Sequence, residues 1–141
     1  MADGDLFRRD QTDGISPPNL ADESTYAEHV VRARGKTSRF TSLSLDPSVI
    51  RDFGNELWRA DQAKIRAAEH LIVSHADLAI ALRAAVRGSN DDDRERAARA
   101  LPRVLARKEA LVHWKFDCAH VERKDLITWA TARVRDYFSR A

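Results

Sequence analysis

Cysteine is nearly absent from this 141-residue chain: Cys118 stands alone, which excludes an internal disulfide framework and a cysteine-rich zinc site. No apolar run approaches the roughly 18 residues that a membrane span needs, so no membrane association is expected. The opening Met1-Ala2-Asp3-Gly4-Asp5 is acidic and polar, unlike a secretory leader. Cytoplasmic location, or delivery into a target cell by a route without a leader, is the expectation. Charge of one sign is not in excess either. The 24 basic and 22 acidic residues leave a net +2, too small a charge to imply nucleic-acid binding by itself. There are only five glycines and four prolines, and no Gly-rich phosphate loop or Gly-x-Gly-x-x-Gly fingerprint. The five histidines, His29, His70, His75, His113 and His120, lack metal-ligand spacing, so no metal is expected. Ser74-His75 with Asp77 only looks like a hydrolase set, because such triads are assembled by the fold and not by adjacency. No Gly-x-Ser-x-Gly elbow occurs.

What remains is an ordinary globular composition, 43% hydrophobic and 33% charged, in a length that suits one domain over residues 1–141. Two segments read as loops: Asp10 to Asp22, with Gly14 and Pro17-Pro18, and Gly88 to Asp93. Leu6-Phe7-Arg8 reads as a short strand. Ser24 to Arg34 reads as a helix, with Tyr26, Val30 and Ala33 at helical spacing and Gly35 beyond its end. Arg39 to Leu45 alternates, with Phe40, Ser42 and Ser44 on one side and Thr41, Leu43 and Leu45 on the other. Asp46-Pro47 opens a predicted helix whose apolar stripe is Val49, Ile50, Phe53, Leu57 and Ala60. Leu71-Ile72-Val73 fits a buried strand or part of one long helix, which periodicity alone does not decide; the strand is preferred, followed by a helix from Asp77 to Arg87. Arg94 to Ala106 is helical, shortened or bent at Pro102, and Asp91-Asp92-Asp93 is a loop that caps it. Ala110 to Phe116 alternates as a strand. Lys124 to Phe138 is an amphipathic helix. The prediction is a small α+β domain, with a strand toward each end of the sequence and helices between. Trp58, Trp114, Trp129 and Cys118 are assigned to packing.

Three features stand in a suggestive order. Phe7-Arg8 ends the first strand. Ala27-Glu28-His29-Val30 lies on a helix, and Phe40-Thr41-Ser42-Leu43-Ser44 on the strand after it. Glu109 opens a late strand, behind Arg107-Lys108. This order resembles the Arg-Ser-Glu class of mono-ADP-ribosyltransferases, the cholera-toxin-like group that includes many bacterial toxin domains. In that class an aromatic-Arg pair, a helix with His-Val, a Ser-Thr-Ser strand and a strand-opening Glu follow one another. The resemblance implies the ADP-ribosyltransferase fold and NAD⁺ as substrate. By that resemblance Arg8 is expected to bind the dinucleotide, Ser42 and Ser44 to order the site, and Glu109 to be the catalytic carboxylate. Phe40 or Phe53 is the aromatic for nicotinamide. It also implies a macromolecular acceptor of unstated identity, and a toxin or defence role with a cognate antitoxin or immunity protein.

The chemistry suits these residue types. An arginine fork holds phosphate oxygens, and a carboxylate stabilises the oxocarbenium character that builds on the ribose as nicotinamide leaves. Two positions depart from the class. Leu43 replaces the central Thr, and Arg107 stands where arginine-modifying members carry Glu or Gln, which argues against arginine as acceptor. Glu122 is the alternative carboxylate. The rival readings are an NAD⁺ glycohydrolase on the same fold, a non-enzymatic interaction or immunity-type protein, and a nucleic-acid binder acting through the Arg-rich helices. The last requires the acidic residues to segregate away from the basic ones.

Overall fold

A computed structural model describes residues 4–23, 25–31 and 38–141. Among them, six strands pair into one antiparallel sheet: β1 Phe7–Asp10, β2 Phe40–Ser44, β3 Glu56–Ala60, β4 Leu71–Val73, β5 Glu109–His113 and β6 Phe138–Arg140. The helices are α1 Tyr26–Val31, α2 Gln62–Ala67, α3 His75–Val86, α4 Asp91–Arg107 and α5 Leu126–Arg135. The strand order is β4-β5-β2-β1-β3-β6. The architecture is thus a small α+β domain, as the sequence predicts. The predicted helix start at Ser24 and its continuation to Arg34 and Gly35 lie outside the described residues.

Alternation in β2 divides the interior in two. Phe40 and, across the strand pair, Leu111 turn toward Leu78 and Leu82 of α3 and Ala97, Ala100 and Val104 of α4. Leu43, Ala110 and Val112 join the other cluster, which holds Leu6, Trp58, Ile65, Trp114, Val134 and Phe138. Both faces of the central strands are therefore covered, and all of β5 but His113 is buried. Trp114 is buried without a stranded polar atom, because its Nε1 donates to Thr41 Oγ1 at 2.7 Å.

Short polar side chains start the helices. The Ser74 hydroxyl accepts from Asp77 N and caps α3, while His75 Nδ1 lies 2.8 Å from Glu109 O, so the Ser74-His75-Asp77 run forms no hydrolase relay. Asn90 caps α4 in the same way, accepting from Asp93 N. Helix α4 thereby begins at Asp91, so the three aspartates form its first turn, where carboxylates favour the helix dipole. It runs on through Pro102 to Arg107, where the sequence predicts a shortened or bent helix.

Two predicted helices are corrected. Only a 3₁₀ turn, Pro47–Ile50, follows Asp46; its cap is the Asp46 carboxylate, which accepts from Ser48 N. Leu57 and Ala60 belong instead to β3, which pairs with β1 on one side and β6 on the other. The apolar spacing fits a helix stripe and also an inner strand, and the two ladders decide. Likewise α5 ends at Arg135, and Phe138 enters β6 opposite Ala60. Helix α2 is an element the sequence pattern does not announce.

Gly54 marks the break between the 3₁₀ turn and β3. A Cβ there would lie 2.7 Å from both Asp10 N and Asp10 O, backbone atoms that cannot swing aside. Gly54→Ala is expected to lower the unfolding free energy by about 1–3 kcal/mol, measured by urea denaturation. An unchanged midpoint would show that β1 and this turn are not tightly apposed.

Candidate active site

The site lies where the sheet opens. β1 pairs with β3 at four successive positions, but with β2 only at Phe7↔Ser44. Beyond that pair the strands part, and backbone groups there need other partners. The Arg8 side chain supplies one: its Nη1 donates to Ser42 O at 2.9 Å. Its Nε donates to Asp10 Oδ2 at 2.6 Å. Arg8 and Asp10 are two apart on one strand and so share a face. Asp10 also accepts from Ser16 N at 2.9 Å, Ser16 Oγ at 2.7 Å and Gln11 N at 2.9 Å. Burial alone would raise the Asp10 pKa; Arg8 and Ser16 outweigh it and hold the carboxyl below its ordinary range.

Glu109 reaches the same opening from the far side of β2. Its position is set by the tight junction after α4, where Lys108 takes a left-handed conformation (φ 48°) and the next residue already belongs to β5. Ser42 Oγ donates to Glu109 Oε2 at 3.2 Å. Only 7% of Glu109 is exposed. Burial raises its pKa, against the opposing pull of the Ser42 hydrogen bond and of Arg107, Arg103 and Arg8.

Arg8, Ser42 and Glu109 are thus brought together from β1, β2 and β5. Ser44 is not part of the group. It is buried, donates to Arg107 O at 2.6 Å and accepts from Asp46 N at 3.1 Å. It stands opposite Glu109 in the β2–β5 register, but its hydroxyl is taken up by the α4–β5 junction and the turn at Asp46. Phe40 is also buried, within the α3–α4 cluster. Glu122 is exposed and pairs with Lys124 at 3.3 Å; it lines neither cleft described below.

His29 completes the group. Its Nε2 lies 2.7 Å from Ser42 Oγ, and its Nδ1 contacts Ser38 Oγ. In the tautomer that carries its hydrogen on Nε2, the ring donates to Ser42 Oγ, and Nδ1 accepts from Ser38 Oγ. A continuous line of polar contacts thus joins Ser38, His29, Ser42 and Glu109. The His-Val pair in the sequence was the signal for His29. Asp10 had a signal too, its two-residue spacing from Arg8.

Two clefts flank this line, and Arg8 and Ser42 line both. One, of about 170 Å³, also takes in Phe7, Arg9, Phe53, Arg107 and Glu109. The other, of about 180 Å³, takes in Ser16, Pro17, Pro18, His29, Ser38 and Phe40. In the first, the Arg107 guanidinium stands over the Phe53 ring, 4.6 Å from its centroid. Among the described residues, no group of three His, Cys, Asp or Glu is arranged to hold a metal ion, and no helix is long and apolar enough to cross a membrane. No protein-family model, curated protein or solved structure matches this chain.

Two outcomes follow from this geometry. Asp10→Asn removes the charged acceptor of four hydrogen bonds, and urea unfolding is expected to show a loss of about 2–4 kcal/mol. The Glu109 pKa is raised in the folded state, so its contribution to stability is full below the unfolded value and is lost as pH rises through the folded value. Glu109→Gln should therefore melt at a higher temperature than the parent near pH 8, with the gain vanishing near pH 4. A variant less stable than the parent at the higher pH would make Glu109 a structural ion-pair partner instead.

Proposed function

We propose that this chain is an NAD⁺-dependent mono-ADP-ribosyltransferase-like enzyme with the fold of that class. The observation that supports the reading is the convergence of Arg8, Ser42 and Glu109 at the opening between β1 and β2, with Ser42 Oγ bonded to Glu109 Oε2. Three residues distant in sequence converge there, and the resemblance assigns a role to each.

Each has a chemical task. Arg8 has five N–H donors and spends Nε and Nη1 on Asp10 and Ser42. The remaining donors hold the pyrophosphate of NAD⁺. Ser42, itself fixed by His29, orients the Glu109 carboxylate. The carboxylate faces the nicotinamide ribose and stabilises its developing positive charge. The C–N bond to nicotinamide breaks, and nicotinamide leaves as a neutral molecule with the bonding pair. The acceptor's nucleophilic atom bonds to the ribose carbon, and its proton passes to Glu109 or to water.

The nicotinamide ring of NAD⁺ is a cation. Arg107 over Phe53 disfavours it in the first cleft, so the ring is assigned to the cleft of His29 and the edge of Phe40, and the Phe53 side is left to the acceptor. A cation at Arg107 also suits an acceptor other than arginine, or water, which would make the enzyme a glycohydrolase. A toxin or defence role fits either activity.

Nicotinamide release from NAD⁺ by the purified protein tests the reading. Glu109→Gln is expected to slow it by about 100-fold or more, and Ser42→Ala and Arg8→Lys to slow it as well. Dependence on added cell lysate distinguishes transfer from hydrolysis. Absence of release, with no stabilisation by NAD⁺ in a thermal melt, would leave a non-enzymatic interaction or immunity-type protein as the reading.

A further inference from the structure

Helix α4 carries Arg96, Arg99, Arg103 and Arg107 at intervals of three and four residues. That spacing puts them on one flank of the helix. With a rise of 1.5 Å per residue, the line is about 16 Å long and its members are about 4.5–6 Å apart. Ala97, Ala100 and Val104 anchor the adjoining face in the core. Arg96, Arg99 and Arg103 are exposed, and Arg107 is half-buried at the cleft beside Glu109. Local neutralisation of this charge is partial, with the buried Glu109 facing Arg103 and Arg107 at the cleft end. Arg96 makes one loose contact with Asp93 at 3.8 Å, and Arg103 donates to Val30 O at 2.9 Å. No acidic residue occurs from Arg96 to Lys108; Asp91, Asp92, Asp93 and Glu95 are confined to the far end of the helix. The near-zero net charge of the chain therefore conceals a basic line that ends at the cleft.

A second feature lies at that end. Phe53 is 53% exposed and is the one aromatic among the large apolar side chains exposed within the described residues. Arg107 stacks on its ring. A row of cations leading to an exposed aromatic is the arrangement that holds a strand's phosphates and stacks one of its bases. An acidic peptide would use the arginines, but the carboxylates that engage them offer nothing to stack on Phe53. A duplex keeps its bases stacked inside and away from a cleft of about 170 Å³.

We propose that the α4 arginine line and Phe53 form a docking track for single-stranded nucleic acid, which presents a base at the Glu109 cleft. If the NAD⁺ reading above holds, on which this last step alone rests, that base is the acceptor. One of its nitrogens then bonds to the ribose carbon as the nicotinamide bond breaks, and the nitrogen's proton passes to Glu109 or water.

The test is fluorescence anisotropy of a labelled single strand of about 12 nucleotides, as DNA and as RNA, with the full chain over a range of salt. Affinity is expected to fall steeply with salt. The double variant Arg96→Gln, Arg99→Gln is expected to bind about 10-fold more weakly, with a log–log salt slope shallower by about 1.4. Phe53→Ala is expected to lose about 5-fold or more at an unchanged slope, and Phe53→Trp to restore it. Thermal melts establish that each variant is folded. No binding at low salt, equal binding by the double variant, or equally tight binding of the duplex or of a polyglutamate of matched charge would overturn the track. Nicotinamide release is read in the same samples. Strand binding without NAD⁺ turnover keeps the track and removes the enzymatic reading; turnover without strand binding does the reverse.

Discussion

The guanidinium of Arg8, held between the Asp10 carboxylate and the Ser42 carbonyl, is the interaction on which the site depends. A sheet that parts between two central strands leaves backbone polar groups without ladder partners, and burying them unpaired is costly. Arg8 meets that need from one strand to the other. Asp10 in turn holds Arg8 and gathers the loop at Ser16 by two further hydrogen bonds. The same side chain keeps the opening in shape and leaves donors to offer a ligand.

Glu109 depends on a different set of constraints. Helix α4 must end and β5 begin within one residue, and the left-handed Lys108 makes that turn possible. A non-glycine residue in this conformation is strained by roughly 1–2 kcal/mol. The hydrogen bonds from Ser44 Oγ to Arg107 O and from Leu45 N to Lys108 O hold the junction against β2. Ser44 therefore contributes to the site by fixing the carboxylate's backbone. Burial then makes the charged form of Glu109 unfavourable, and the surrounding arginines only partly offset that. A carboxylate maintained at such a position resembles the destabilised groups found at functional sites.

The basic line on α4 shows why net charge is a poor guide to partners. Twenty-four basic and twenty-two acidic residues nearly cancel in the sum, but along α4 the two signs stand apart. The aspartates gather at the α4 N-terminus, where the helix dipole favours them, and the arginines continue toward the cleft. Local potential, and not total charge, is what a ligand meets within a Debye length.

Much of the fold was legible in local pattern. Alternation through Phe40 to Ser44 marked β2, the Phe7-Arg8 start marked β1, and the apolar triplet Leu71 to Val73 marked β4, which is not the buried strand expected but an edge strand with Leu71 exposed. The Arg8, Ser42 and Glu109 candidates were legible too, as an order of residue types along the chain. Elsewhere the local signal misled. Leu57, Ala60 and Phe138 sit at spacings that suit a helix face, yet they lie in β3 and β6, because strand pairing is a contact between distant segments that no short window contains. Phe40 and Ser44 shared the alternation of Ser42 but not its exposure, since the packing of α3 and α4 covers one and the α4–β5 junction encloses the other. The sequence by itself determined which residues alternate, which cap helices and which could carry charge, because those properties follow from side-chain chemistry and a few neighbours. Only the tertiary structure decided that the sheet opens beside Arg8, that His29 and Ser42 connect to Glu109, and that four arginines end at Phe53, because each of these joins segments that the chain alone keeps apart.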